Sequence, residues 1–325
     1  MSLRTPLCER LGIEAPVFLA GMGGVAYAEV CAAVSAAGGF GTLGMAACGP
    51  DEIRREMRAV RERTDKPFGV DLLTALPHTL QASADVIIEE GARVFIAGLG
   101  VPGPVIERFH DAGVLVFSMC GKVSHAVAAA RAGCDAVVAQ GTEAGGHTGR
   151  VATLALTPQI VDAVDIPVLA AGAIVDGRGL AAALALGAQG VWMGTRFIAS
   201  EEARAGQKYR DAILAADSAD TVVTRCYSGK PMRVLRNPYV DDWERRPDEI
   251  RPFPQQSAIS YRAGVFNLTR GDHEEIDETR SCLPMGQGCG GIDEVLPAGE
   301  IVRRVVAEAE RTIREMSARL GRSGE

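Results

Sequence analysis

The chain of 325 residues is 47% hydrophobic and 23% charged, a globular balance that excludes disordered and fibrous classes. Its formal net charge of −7 and pI near 5.4 offer no basic field for nucleic acid or an anionic membrane surface. Only 5% of residues are aromatic while 38 are glycine, a bias toward tight turns and close backbone approaches.

In chain order, short apolar runs recur roughly every 20–30 residues, the spacing of βα units rather than of hairpins. The first, Pro16–Ala20, is followed by a helical segment over Tyr27–Ala37. Phe40–Gly44 then precedes a helix over Asp51–Arg63, and Phe68–Leu73 precedes one over Thr79–Glu90. Val94–Leu99, Val114–Met119 and Ala136–Gln140 follow, with helices predicted over Pro104–Ala112, Val123–Ala132 and Thr157–Val164. Pro167–Ala171, a helix over Arg178–Leu186, and Gly190–Gly194 complete eight strands. Strict alternation predicts an α/β fold, a (β/α)₈ TIM barrel with its site at the carboxyl ends of the strands; an open doubly wound sheet is the rival.

Past Ala216 the alternation stops and prolines accumulate, from Pro231 to Pro284, which reads as a cap. Helical periodicity returns over Glu300–Leu320, with Ile301, Val302, Val305, Ala309 and Ile313 on one stripe. The expected organisation is a barrel over 1–216, a cap or substrate subdomain over 217–296, and a terminal helix over 297–325 that packs back on the barrel. Eight cysteines without a CxxC pair suggest reduced thiols and a cytoplasmic setting. The five scattered histidines suggest no metal site, and no apolar leader or membrane span is indicated.

GxGxxG-like strings occur at 98–103, at 286–291 and, with a final Ala, at 21–26, but none has the acidic partner about 20 residues downstream that a dinucleotide fold requires. Glycines placed where the seventh and eighth strands end are more informative, because in a barrel these two loops present free N–H groups and a helix start to a phosphate. Gly172, Ala173, Gly194 and Thr195 are the phosphate candidates, against the plainer reading that the glycines only permit turns. After the sixth strand, Gln140 opens a glycine-rich loop that contains Glu143 and His147. An imidazole there can remove a proton or hold a substrate oxygen, and a packing role is its alternative.

The motifs GTEAGGHTG (141–149), AAGAIVDGRGLAAALALGA (170–188) and MGTRF (193–197) resemble the nitronate monooxygenase family, formerly 2-nitropropane dioxygenases, FMN-dependent barrels related to flavin-dependent enoyl-thioester reductases. PVFLAGMGG, KPFGVDLL and MGQGCG resemble further family segments, so the similarity spans most of the barrel and enters the cap. The resemblance implies FMN as cofactor, with Gly21, Met22 and Gly23 along the ring system and Asp71, Gln140, Gly145, Gly146, Met193 and Gln287 around the same cavity. It implies His147 as the catalytic residue. Three positions depart from the family's habit: Asp71 where Asn is more frequent, Ala173 where Gly is usual, and Met119 where a polar or basic residue is frequent. An anionic Asp71 would oppose a reduced, anionic flavin unless it were protonated or hydrogen-bonded elsewhere.

Two activities follow from the resemblance. One is oxidation of alkyl nitronates with O2; the other is NAD(P)H-dependent reduction of an enoyl-CoA, enoyl-ACP or quinone substrate. Arg225, Lys230, Arg233, Arg236, Arg245 and Arg246 in the cap either grip the phosphates of a CoA or carrier protein or form a solvated face with the interleaved carboxylates. A barrel that only binds a phosphorylated ligand is the third class, and the expected partners are a small-molecule substrate with O2 or NAD(P)H as co-substrate, with a homodimer left open.

Overall fold

A computed structural model describes residues 3–46, 48–74, 77–266 and 276–321. The barrel strands are β1 (Val17–Leu19), β2 (Gly41–Gly44), β3 (Phe68–Leu73), β4 (Val94–Gly98), β5 (Leu115–Cys120) and β6 (Ala136–Gln140). After a two-residue strand, β7 (Gly146–His147), come β8 (Val168–Ala171) and β9 (Val191–Met193), and the cap adds β10 (Thr221–Thr224) and β11 (Met232–Leu235). The eight barrel strands are parallel in the order β1-β9-β8-β6-β5-β4-β3-β2. A bridge between Phe18 and Phe40 joins the two ends, with Leu19 N–H donating to the Phe40 carbonyl at 2.9 Å. The fold is therefore a (β/α)₈ TIM barrel, and all eight predicted strands form it.

Period-two alternation sorts the side chains into two layers. Phe18, Phe40, Val94, Ile96, Phe117, Val138, Leu169 and Trp192 fill the interior, plugged at the amino-terminal end by Leu7, Cys8 and Leu11 of the helix Pro6–Leu11. Their neighbours Leu19, Leu43, Val70, Phe95, Val137, Ala170 and Met193 face outward against the helices. Asp71 has the inward parity of β3, opposite to Phe68, Val70 and Leu72, and stands at its carboxyl end. The helix expected over Thr157–Val164 runs instead over Thr153–Val161, with Pro158 inside it. Proline favours a first turn, which is where the sequence places Pro158, but here it only forgoes its bond to the carbonyl of Leu154 at the exposed helix start.

The terminal helix, Ala298–Gly321, lies against Gly177–Ala185, where a Cβ on Gly177 would come within 2.3 Å of the Ala309 nitrogen. The Gly177 N–H donates to Glu308 Oε2 at 2.8 Å, so the contact is both close and polar. In the cap, β10 and β11 form an antiparallel pair that continues into β7 of the barrel loop, so cap and barrel share one sheet. Cys226, Tyr227, Met232, Val234, Val240 and Cys282 build its core beneath the helices Pro238–Glu244 and Gln255–Arg262. Residues 267–275 of the expected cap lie outside the described residues. All eight cysteines are free, and among the described residues no helix is long and apolar enough to cross a membrane.

Candidate active site

A cavity of about 1240 Å³ opens over the carboxyl ends of the barrel strands and runs beneath the cap. Of the residues expected to hold cofactor or substrate, Gly21, Met22, Gly23, Asp71, Gln140, Gly145, Gly146, His147, Gly172, Ala173, Gly194 and Thr195 line it. Met193 does not, because its side chain is on the outward face of β9 and packs against the helices. The inward residue of that strand is Trp192, which lines the cavity and which the motif MGTRF does not contain. Gln287 also stays out of the cavity wall; its N–H bonds the Glu143 carbonyl at 2.9 Å and its own carbonyl accepts from Ser218 Oγ at 2.6 Å.

The two glycine-bearing loops meet as a cradle. Gly172 has φ +121° and a Cβ there would strike Thr153 Oγ1 at 2.4 Å, so its glycine serves the protein itself. Gly194 is different: with φ −109°, an added Cβ would meet nothing nearer than Met22 Sδ at 3.4 Å. Phe197 and Ile198 donate to the Gly194 carbonyl, which leaves the Thr195 and Arg196 N–H groups without an acceptor in that helical turn. Free N–H groups, a glycine that the protein does not need and the Thr195 hydroxyl together suit a phosphate.

Ala173 adopts φ +53°, a left-handed conformation that explains why glycine is commoner at this position. Asp71 is 9% exposed, and no described residue hydrogen-bonds its carboxyl group. Burial raises its pKa well above the ordinary carboxylate value, which favours the uncharged form. A carboxyl facing the cavity without a protein partner fits a ring with polar edges, and the upward shift of its pKa works against the conflict that an anionic Asp71 would pose for a reduced flavin. The residues present therefore fit the phosphate and the ring of a flavin nucleotide.

His147 is fixed on both sides of its backbone. Met232 of β11 pairs with it, and Gln140 Nε2 donates to its carbonyl at 2.8 Å. Its loop is held by Glu143, whose carboxylate accepts from Thr153 N–H at 2.9 Å and from Thr153 Oγ1 at 3.0 Å. Glu143 thus orients the loop and caps the helix that follows. Burial, reinforced by the nearby Lys230 ammonium, lowers the His147 pKa from 6.5 to about 4, so the imidazole is neutral at physiological pH.

The cap supplies what the sequence least revealed: Lys230, Phe253, Pro254, Tyr261 and Phe266 line the outer half of the cavity, with Lys230 Nζ 4.7 Å from the Phe253 ring centroid. Of the two readings open for the cap cations, a phosphate grip or a solvated face with interleaved carboxylates, the second holds for three of them. Arg236 pairs with Asp241, Arg246 with Asp242 and Glu249, Arg245 with Asp242, and Arg233 is buried donating to the Thr142 carbonyl at 2.8 Å. Of the six, Lys230 alone lines the cavity; Arg225 is exposed elsewhere.

The chain is similar to known proteins over most of its length. The family described as nitronate monooxygenase matches residues 4–308. A (3aS,4S,5R,7aS)-5-hydroxy-7a-methyl-1-oxo-octahydro-1H-indene-4-carboxyl-CoA dehydrogenase of Rhodococcus jostii is 43% identical over 75% of this chain and 69% of its own. FabK from Thermotoga maritima superposes with a TM-score of 0.89 at 38% identity, covering 97% of this chain and 99% of that one. A nitroalkane oxidase from Streptomyces ansochromogenes gives a TM-score of 0.84 at 30% identity, covering 94% and 98%.

Proposed function

This chain belongs to the nitronate monooxygenase family and is a flavin-dependent oxidoreductase of a small-molecule substrate, and we propose that its flavin is FMN and that it oxidises alkyl nitronates, with O2 as co-substrate, to carbonyl products. The observation that carries this reading is the meeting of a neutral imidazole and the Lys230 ammonium in one largely apolar cavity over the strand ends. Gly172, Ala173, Gly194 and Thr195 would hold the FMN phosphate, and Gly21, Met22, Gly23 and Asp71 would border the ring. When bound, FMN supplies the redox chemistry, taking electrons from the substrate and passing them to oxygen.

The chain's own residues bind and orient. Lys230 is suited to the oxygens of an anionic nitronate, an interaction strengthened by the apolar walls of Phe253 and Tyr261. His147, unprotonated, is suited to taking the α-proton when the substrate arrives as the neutral nitroalkane; the nitronate formed beside it then stabilises the imidazolium. Free cysteines throughout suit a reducing compartment such as the cytoplasm.

Lys230→Met tests the charge role. It is expected to raise the KM for propyl nitronate by about 10- to 100-fold, the worth of a hydrogen bond to a charged group, with a smaller change in kcat. An unchanged KM overturns the assignment of Lys230.

A second reading, NAD(P)H-dependent reduction of an enoyl thioester or quinone, is favoured by the aromatic residues Phe253, Tyr261 and Phe266 of the cap. The aromatic cap wall would suit a bulky acyl group, in line with the CoA-bearing name of the Rhodococcus relative.

A further inference from the structure

The Ser228–Gly229–Lys230 turn sits directly behind His147. Ser228 is fully buried, and its Oγ has three partners: His147 Nε2 at 2.9 Å, the Lys230 N–H at 3.2 Å and the Lys230 carbonyl at 3.2 Å. A hydroxyl has one proton to give and two lone pairs with which to accept. The Lys230 N–H can only donate and the Lys230 carbonyl can only accept, so the carbonyl claims the hydroxyl proton and one lone pair takes the N–H. All three contacts are then satisfied only when His147 Nε2–H donates into the second lone pair. No described residue hydrogen-bonds Nδ1, and the ring lines the cavity.

From this proton accounting we infer that Ser228 is a positioning residue that fixes His147 as the Nε2-protonated tautomer and presents a bare Nδ1 lone pair to the substrate. The inference rests on the catalytic reading of His147 given above and specifies which nitrogen acts. A group placed against Nδ1 must bring a proton, as the α-carbon of a nitroalkane does; nitronate oxygens would meet lone pair against lone pair there and are directed to Lys230 instead. The turn is built for the purpose. Gly229 has φ +85°, and any Cβ on it would lie 2.5 Å from the Phe253 nitrogen and 2.6 Å from the Arg251 carbonyl, so the backbone of 251–253 clamps the turn that carries both the hydroxyl and the ammonium.

The test is the ¹⁵N spectrum of histidine-labelled holoenzyme near neutral pH without substrate, assigned by loss of the signal in His147→Ala. The expected result is a protonated Nε2 and an unprotonated Nδ1 in the native protein. In Ser228→Ala the two tautomers should mix and kcat/KM for a neutral nitroalkane should fall by about 10-fold, the loss of one oriented hydrogen bond, with flavin content unchanged. Ser228→Thr, which keeps the hydroxyl, should restore both the single tautomer and the rate. A native Nδ1–H tautomer, or a Ser228→Ala spectrum identical to the native one, overturns the inference. The spectrum is read without turnover, so failure of the nitronate assignment alone leaves this result standing.

Discussion

Gly194→Asp is expected to give a folded but colourless protein. The backbone at Gly194 has φ −109°, which any L-residue adopts, and its Cβ position is 3.4 Å from Met22 Sδ and 3.6 Å from Ala20 Cβ, so the protein has room for a side chain. What it lacks room for is a second anion. A carboxylate about 4 Å from a phosphate, at an effective dielectric near 20, costs about 4 kcal/mol per unit charge, roughly a 10³-fold loss of affinity. The purified variant should show a native circular dichroism spectrum with flavin absorbance absent, whereas Gly194→Ala, uncharged and small, should retain colour. A yellow Gly194→Asp protein would place the phosphate elsewhere.

His147→Ala should keep its flavin yet lose about 10²–10⁴ in turnover of a neutral nitroalkane, the usual worth of a positioned proton acceptor. Propyl nitronate, which arrives without the α-proton, should recover most of that loss. Equal losses on both substrates would make His147 a binding residue. The lowered pKa sets the pH dependence: with the imidazole titrating at about 4 rather than 6.5, kcat/KM for the nitroalkane should hold through pH 6 and fall near pH 4. Stability follows the same linkage, since the unfolded chain takes up a proton near 6.5 while the native site resists until about 4. The native protein should therefore lose stability as pH falls from 6.5 toward 4, and His147→Ala should lack that component.

Much of this site was legible because its carriers are local. Short continuous apolar runs such as Phe95–Ala97, recurring between segments of helical length, read as buried strands, and glycines at the ends of β8 and β9 mark the loops that later meet. Parity was the weaker inference. Met193 and Trp192 are adjacent and both apolar, and only the register of β9, with Leu19 opposite Met193, shows that the tryptophan faces inward. The cap was opaque for a different reason: β7 is two residues inside a glycine-rich loop, and its pairing with β11 spans more than eighty residues of chain that no local pattern records. The same gap hid Ser228, an unremarkable serine until β11 carries its turn behind His147. The cap cations stayed open between two readings because charge counts do not say which carboxylate each one meets, and Asp241, Asp242 and Glu249 take three of them, as in the solvated-face reading.

On the proposed reading, Lys230 and His147 in one cavity serve an anionic nitronate and the α-proton of its parent nitroalkane. The most direct test is anaerobic mixing of the holoenzyme with propyl nitronate or with NADH or NADPH, followed by the visible absorbance of the flavin. Propyl nitronate is predicted to bleach it faster than either nucleotide and to support oxygen consumption in air, while rapid bleaching by NADH with no response to nitronate would contradict the account.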